Sequence, residues 1–327
     1  MNKFVKIVRW FLPYGLIAYS RKRQKMKNRE RQTSYGNENP DKTFYITGVA
    51  DKRGGLFWMM LFNLNRIAYA LEKEWIPVVD WQNQPNQYLE KTDLHQENAW
   101  EYYFEQPCNY DLNSIKHSKN IVQGMGSLFV DNFILDYHIE TNDEYFPYLK
   151  KLFKQYIRFN QFTRDYIENE YNTIFKGKEK VLGVLCRGTD YTLKKPGGHP
   201  VQPDPERVIK KAKEVIADKQ LDYIYLATED QDIYVLFQKE FGEKILTNKQ
   251  DRFTKQEMAK AQYLYQIKHN REKDKYWLGL EYLSSMYMLS KCHSFIGSRT
   301  RGAIGVLLMT DEFDYQYVWN LGIYMNE

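Results

Sequence analysis

Three cysteines in 327 residues, Cys108, Cys186 and Cys292, stand far apart along the chain. They form neither a disulfide framework nor a zinc-ligand pattern, which fits a reducing cytoplasm. No Gly-x-Gly-x-x-Gly fingerprint and no Walker loop occur, so dinucleotide oxidoreductase and P-loop readings lose their main support. A membrane span needs ~20 apolar residues. The N-terminal run from Trp10 to Tyr19 is shorter and is interrupted by Pro13 and Gly15. More basic charge follows it rather than a small-residue cleavage site, so a signal peptide is not expected. Internal repeats and long low-complexity stretches are also missing.

Charge is unevenly spread. Residues 1–32 carry ten Lys or Arg against Glu30 alone, or +9 of an overall +5, which leaves −4 for the remainder. A mildly acidic globule with a basic leader lacks the general nucleic-acid footprint. Aromatic and aliphatic residues flanked by basic clusters suit the cytoplasmic face of an anionic membrane, with a disordered tail or partner-binding helix as the alternative. Localisation is therefore expected to be cytoplasmic, peripheral at the inner face of the cell membrane. With 43% hydrophobic residues, of which 27 are tyrosine and 7 tryptophan, the rest has ample core material.

Past a polar linker expected at Asn37 to Lys42, strands alternate with helices, the pattern of βαβ units and parallel sheets. Strands are expected at Phe44–Gly48, Ile76–Trp81, Val181–Cys186, Tyr223–Ala227, Lys244–Leu246 and Ser294–Gly297. Helices are expected at 56–71, twice between Glu144 and Phe175, and at about 205–217, 231–241, 275–291 and from Thr300. Three units result: a leader over 1–36, an N-terminal Rossmann-like domain over 40–176 and a C-terminal one over 177–327. Asp51-Lys-Arg-Gly54-Gly55 opens the first helix, where backbone amides favour anions; a plain tight turn reads the same way.

The chain is organised around Val181-Leu-Gly-Val-Leu-Cys-Arg187-Gly-Thr-Asp190. Six apolar residues read as a strand buried on both faces, delivering Arg187 and Asp190 at its carboxyl end, where ligands bind in open α/β sheets. Arg187 offers a permanent cation whose fork suits phosphate oxygens. The alternative is an Arg–Asp pair that ties a loop. Two further strand ends reach the same edge. One gives Glu229 and Asp230, the latter a natural helix N-cap. The other gives Gly297-Ser298-Arg299-Thr300-Arg301-Gly302 at a helix start, fit to hold a diphosphate unless it is a surface loop with stray arginines.

These motifs resemble, in order, those of the α1,6-fucosyltransferase and O-fucosyltransferase superfamily. Gly183-Val-Leu-Cys-Arg187-Gly-Thr-Asp190 is similar to its Gly-Val-His-Val-Arg-Arg-Thr-Asp, with Leu185 for the histidine and Gly188 for the second arginine. His199-Pro200 and Ala227-Thr-Glu229-Asp230 resemble its His-Pro and Ala-Thr-Asp-Asp, and Gly54-Gly55 its glycine-rich first loop. The resemblance implies a GT-B-like α/β fold with two Rossmann-like domains facing a cleft. It implies an inverting fucosyltransferase using GDP-fucose as substrate, needing no cofactor or metal. Arg187 and Asp190 would be catalytic, Asp190 as general base. The donor would meet His199, Glu229, Asp230, Ser298, Arg299, Thr300 and Arg301. The purine-reading aspartate of the resemblance falls on Ser285, with Glu281 the nearest carboxylate, one turn away.

Trp100 and Glu101, in an aromatic stretch without clear period, combine a ring and a carboxylate as an acceptor-sugar site would, or as a packed loop would. Asp230-Gln-Asp232 imitates a metal-binding Asp-x-Asp, but its place at a helix start speaks against that use. The expected partners are a nucleotide sugar, a bacterial surface glycan or lipid-linked oligosaccharide acceptor and an anionic membrane surface. The rivals are a GT-B enzyme with another nucleotide sugar and a non-catalytic nucleotide- or glycan-binding protein.

Overall fold

The computed structural model describes residues 30–48, 54–124, 139–261, 264–267 and 269–325. The basic leader up to residue 29 and the Asp51–Arg53 part of the glycine loop lie outside the described residues. No helix among those described is long and apolar enough to cross a membrane.

The described strands form two sheets. In the first, β2 (Glu38–Thr47) runs parallel to β3 (Ile76–Val79) and β4 (Ser118–Gly124), while β1 (Arg31–Thr33) lies antiparallel on the edge of β4. The second is wholly parallel and takes the order β7-β6-β5-β8-β9. Its strands are β5 (Val181–Leu185), β6 (Tyr223–Ala227), β7 (Ile245–Leu246), β8 (Ser294–Ser298) and β9 (Tyr315–Trp319). Counted from β5 the order is 3-2-1-4-5, the doubly wound arrangement, whose direction reverses between β5 and β8.

The polar stretch at 37–42, expected as a linker, is instead the start of β2. The ladder slips there between Glu38 and Thr43, and the Asn120 side chain bridges the slip, donating to the carbonyls of Pro40 at 3.0 Å and Lys42 at 3.2 Å. A bulge tolerates proline and exposed polar residues, which is why this strand carries no apolar period.

Helices fill the spaces between strands. α1 (Leu56–Glu72) is buried nearly all round, and its two interior asparagines donate back to its own carbonyls while their oxygens accept from Thr47 and Tyr145. Asn63 donates to the Met59 carbonyl at 2.8 Å, and Asn65 to that of Leu61 at 2.9 Å. α2 (Tyr145–Tyr156) and α3 (Gln161–Ile174) join the halves. A short α4 (Thr189–Lys194) follows β5. Then come α5 (Pro205–Lys219), α6 (Gln231–Phe241), α7 (Lys255–Ala259), α8 (Asp274–Ser290) and α9 (Arg301–Met309).

Alternate β5 residues face opposite ways, as the strand period requires. Leu182 and Val184 pack with Val208 of α5 and Phe237 of α6. Val181 and Leu185 join a cluster that runs from α1, Trp81 and Trp100 through α2 and α3 to α8 and α9. That one cluster spans both sheets. It is closed at α9 by an absent side chain: a Cβ on Gly305 would lie 2.1 Å from the ring of Phe57 on α1.

Candidate functional site

The carboxyl end of β5 is held from below by the end of β6. One oxygen of the buried Glu229 collects the Gly188 amide at 3.2 Å, the Thr189 hydroxyl at 2.9 Å and the Arg187 Nε at 3.3 Å. Asp230 accepts from the Thr189 amide at 3.0 Å with one oxygen. Its other oxygen caps α6, accepting from the amides of Asp232 at 2.9 Å and Ile233 at 3.1 Å. Thr189 has φ +50, a left-handed conformation that is an outlier for a β-branched residue. Its hydroxyl bond to Glu229 and its amide bond to Asp230 hold it there, with the neighbouring Gly188 amide fixed by the same Glu229 oxygen.

Arg187 is thereby fixed. Its guanidinium lies 4.7 Å from the centroid of the Tyr191 ring, and Tyr191 meets His199 edge-on at 5.2 Å. The His199-Pro200 loop is clamped to the chain's last described residues. Gly198 donates to the Tyr324 carbonyl at 2.8 Å and Val201 to that of Gly322 at 3.0 Å. Asp190 lies in the first turn of α4, and its side chain is outside the described residues.

At the end of β8, the buried Ser298 hydroxyl donates to Gln202, whose amide in turn donates to the Pro200 carbonyl at 3.0 Å. Thr300 caps α9 by accepting from the Ala303 amide at 3.1 Å, and Arg301 opens that helix half-buried. Arg299 forms an ion pair at 2.8 Å with Glu140, which lies between β4 and α2.

The glycine loop reaches the same place from the other sheet. Gly55 caps α1 in extended conformation without a side-chain cap bond, and Gln87 donates to the Gly54 carbonyl. The Tyr88 hydroxyl lies near the Leu56 amide, and both that amide and the charge of Arg187 act to lower its pKa. Burial keeps that phenol protonated well above its ordinary range.

Other expected residues stand apart from this edge or are closed off. Ser285 is fully buried, 3.4 Å from the Tyr225 hydroxyl. Glu281 is buried against Arg271, which donates to both carboxylate oxygens at 2.5 and 3.2 Å and also pairs with Asp274 and Asp251. Burial pushes the Glu281 carboxyl up and the Arg271 contact partly offsets it. Trp100 exposes none of its surface. Its indole donates to the Glu105 carbonyl at 3.0 Å and packs on Phe104 at 4.6 Å, so this ring is core rather than a stacking platform. Glu101 braces the loop by accepting from Gln106 at 2.8 Å. Asp232 pairs with Lys255 at 3.1 Å, so the carboxylates of the Asp-x-Asp segment face separate partners. Among the described residues no group of three His, Cys, Asp or Glu is placed to hold a metal ion.

Sequence reasoning missed Tyr88, Glu140 and Gln202. Tyr88 and Glu140 lie far along the chain from the motifs they serve, Gln202 follows His199-Pro200 but is 96 positions from the Ser298 it meets, and none carries a local signal.

No family model and no curated protein sequence matches the chain. Its fold does match solved structures. The α-1,6-fucosyltransferase NodZ co-crystallised with GDP aligns over 82% of this chain and 93% of its own at TM-score 0.51 and 15% identity. NodZ from Bradyrhizobium covers 84% and 96% at TM-score 0.50 and 15% identity. POFUT1 in its apo form aligns over 85% and 98% at TM-score 0.51 and 9% identity. In fold, at low sequence identity, this chain is similar to these α-1,6-fucosyltransferase NodZ and POFUT1 structures.

Proposed function

We propose that this protein is an inverting glycosyltransferase of GT-B-like architecture. It binds a nucleotide-sugar donor across the carboxyl ends of β5 and β8 and faces a glycan or lipid-linked acceptor with its N-terminal half, residues 40–176. The observation that carries the reading is Arg187, a buried-strand cation fixed at the reversal point of a doubly wound sheet, where ligands of such folds bind. GDP-fucose is the donor we favour. The motifs at Arg187, His199, Asp230 and Ser298 follow the superfamily order, and NodZ structures of the same fold were obtained with GDP and with GDP-fucose.

In the reaction the acceptor hydroxyl attacks the anomeric carbon and the bond from that carbon to the diphosphate oxygen breaks. The nucleoside diphosphate departs with the bonding pair, and the acceptor proton goes to a general base, for which Asp190 is the candidate. Charge grows on the leaving diphosphate. Arg187, Arg299, Arg301 and the amides opening α9 are the groups that stabilise it, without a metal ion. Preorganised donors of this kind are worth ~10²–10³ in rate each. The basic residues that precede β1 would hold the enzyme at an anionic membrane surface, at about 1 kcal/mol per basic residue.

The test is transfer from, or slow hydrolysis of, GDP-fucose by pure protein with Arg187→Ala as the control. Turnover near the wild-type rate by a folded Arg187→Ala variant removes the assignment. A second reading concerns the base. Ser285 is closed in the core and Glu281 is taken by Arg271, which favours a different nucleotide. Calorimetric binding of UDP or CMP at least tenfold tighter than GDP would establish that reading instead.

A further inference from the structure

β5 and β8 are neighbours, with Leu185 opposite Gly297. Arg187 and Arg299 each follow two residues later, so they leave adjacent parallel strands side by side, where strands are spaced ~4.8 Å apart. Each is approached at the same atom. Arg187 Nε is 3.3 Å from Glu229 and Arg299 Nε is 2.8 Å from Glu140. All four side chains are 15% exposed or less. Two buried guanidiniums in equivalent strand positions, each faced at Nε by a buried carboxylate, make a repeated device rather than stray surface charge.

The two carboxylates differ in what else they do. Glu229 also holds the Gly188 amide and the Thr189 hydroxyl. The oxygens of Glu140 make no aligned hydrogen bond among the described residues, so its contact with Arg299 is one of charge. A buried carboxylate in that position needs a cation beside it. It also sits on the opposite half of the molecule, between β4 and α2, so the N-terminal half reaches into the edge of the C-terminal sheet.

We infer that Glu140 is a positioning residue for a diphosphate cradle made of Arg187 and Arg299. It turns the Arg299 guanidinium so that its terminal nitrogens work with those of Arg187 from the next strand. In this cradle the second arginine comes from the neighbouring strand, where Gly188 leaves the position after Arg187 without a side chain. The inference deepens the proposed function and rests on that reading.

The experiment measures inorganic pyrophosphate and GDP binding by calorimetry, and donor KM and kcat, for Glu140→Gln, Arg299→Ala and the double variant. Pyrophosphate carries neither base nor sugar, so it reads the cradle alone. Glu140→Gln should weaken pyrophosphate about tenfold and raise donor KM more than it lowers kcat. Arg299→Ala should weaken it more, and the double variant should equal Arg299→Ala, because a residue acting only through another adds nothing once that other is gone. Wild-type affinity in Glu140→Gln, tighter binding by it, or additive losses in the double variant would each overturn the inference and leave the donor assignment standing. A wild-type protein that binds neither pyrophosphate nor GDP overturns both. Should Glu140→Gln fail to fold, Glu140→Asp keeps the charge on a shorter stem. It should then bind pyrophosphate severalfold more weakly than wild type, and undiminished binding would overturn the inference.

Discussion

Replacing Gly188 by alanine puts a methyl group where Asp230 already is. An added Cβ would lie 2.3 Å from the Asp230 Oδ2 and 2.7 Å from both its Cβ and Cγ. A flexible tip could swing aside, but Asp230 is short and its root is as close as its end, so the whole side chain must move. Moving it breaks the contact to the Thr189 amide at 3.0 Å and the α6 cap bonds at 2.9 and 3.1 Å. Losing an N-cap costs about 1 kcal/mol, and forcing an extra carbon into a packed site about 1–3 kcal/mol, so the total is about 2–4 kcal/mol. For a chain of this size that lowers Tm by about 3–6 °C. The assay is thermal unfolding of Gly188→Ala, Asp230→Ala and the pair. Asp230→Ala removes the Oδ2 and Cγ contacts but keeps the Cβ at 2.7 Å, so adding Gly188→Ala to it should cost less than adding it to wild type. A Gly188→Ala variant that melts with wild type, or a pair that falls as far below Asp230→Ala as Gly188→Ala falls below wild type, refutes the argument.

Arg187→Ala should lower transfer by ~10²–10³. It should also cost stability, because it strands the buried Glu229; unchanged activity in folded protein contradicts it. Glu281→Gln removes one carboxylate from the group around Arg271 and should cost about 1–3 kcal/mol while leaving GDP affinity within twofold, and a tenfold loss of GDP binding would return Glu281 to the base site. Glu105 is held below its ordinary value by hydrogen bonds from Arg158 and then Arg164. A depressed folded-state value means that its stabilising effect is present above the unfolded value and lost as pH falls through the folded one. Melting curves of Glu105→Gln and wild type should therefore converge at acid pH and separate towards neutrality. The difference there is modest, since the carboxylate is more than a third exposed, and a constant difference across pH would contradict the assignment.

What was legible in the sequence followed from how much each element depends on its own residues. β5 is an unbroken apolar run because helices cover both its faces, so it announced itself. β4 did not. Ser118-Lys-Asn-Ile-Val-Gln-Gly holds two aliphatic residues, and its pairing with β2 depends on residues nearly eighty positions away. β9, Tyr315–Trp319, alternates on an exposed edge and passed unnoticed after the last expected helix. The strand-end motifs could be read because Arg187, Glu229, Asp230, Ser298 and Arg299 directly continue strands. The contacts that arrange them could not. Nothing near Glu140 points to Arg299, and nothing near Arg271 shows that it occupies Glu281. Trp100 beside Glu101 looked like a sugar platform because composition cannot separate a stacking ring from one packed on Phe104.

The apolar cluster spanning both sheets also constrains how the polypeptide can be made. α1 buries Phe57 against Gly305, nearly 250 positions further along, and this contact forms only after α9 has left the ribosome. At the 5–20 residues per second typical of synthesis, α1 waits about 12–50 s with apolar surface uncovered. During that wait the N-terminal half should be a client for chaperones and a target for proteases. A fragment ending near Phe175 should behave the same way when made alone, drawn to holdases or aggregating, because the surface it needs to cover α1 is encoded in the last quarter of the chain.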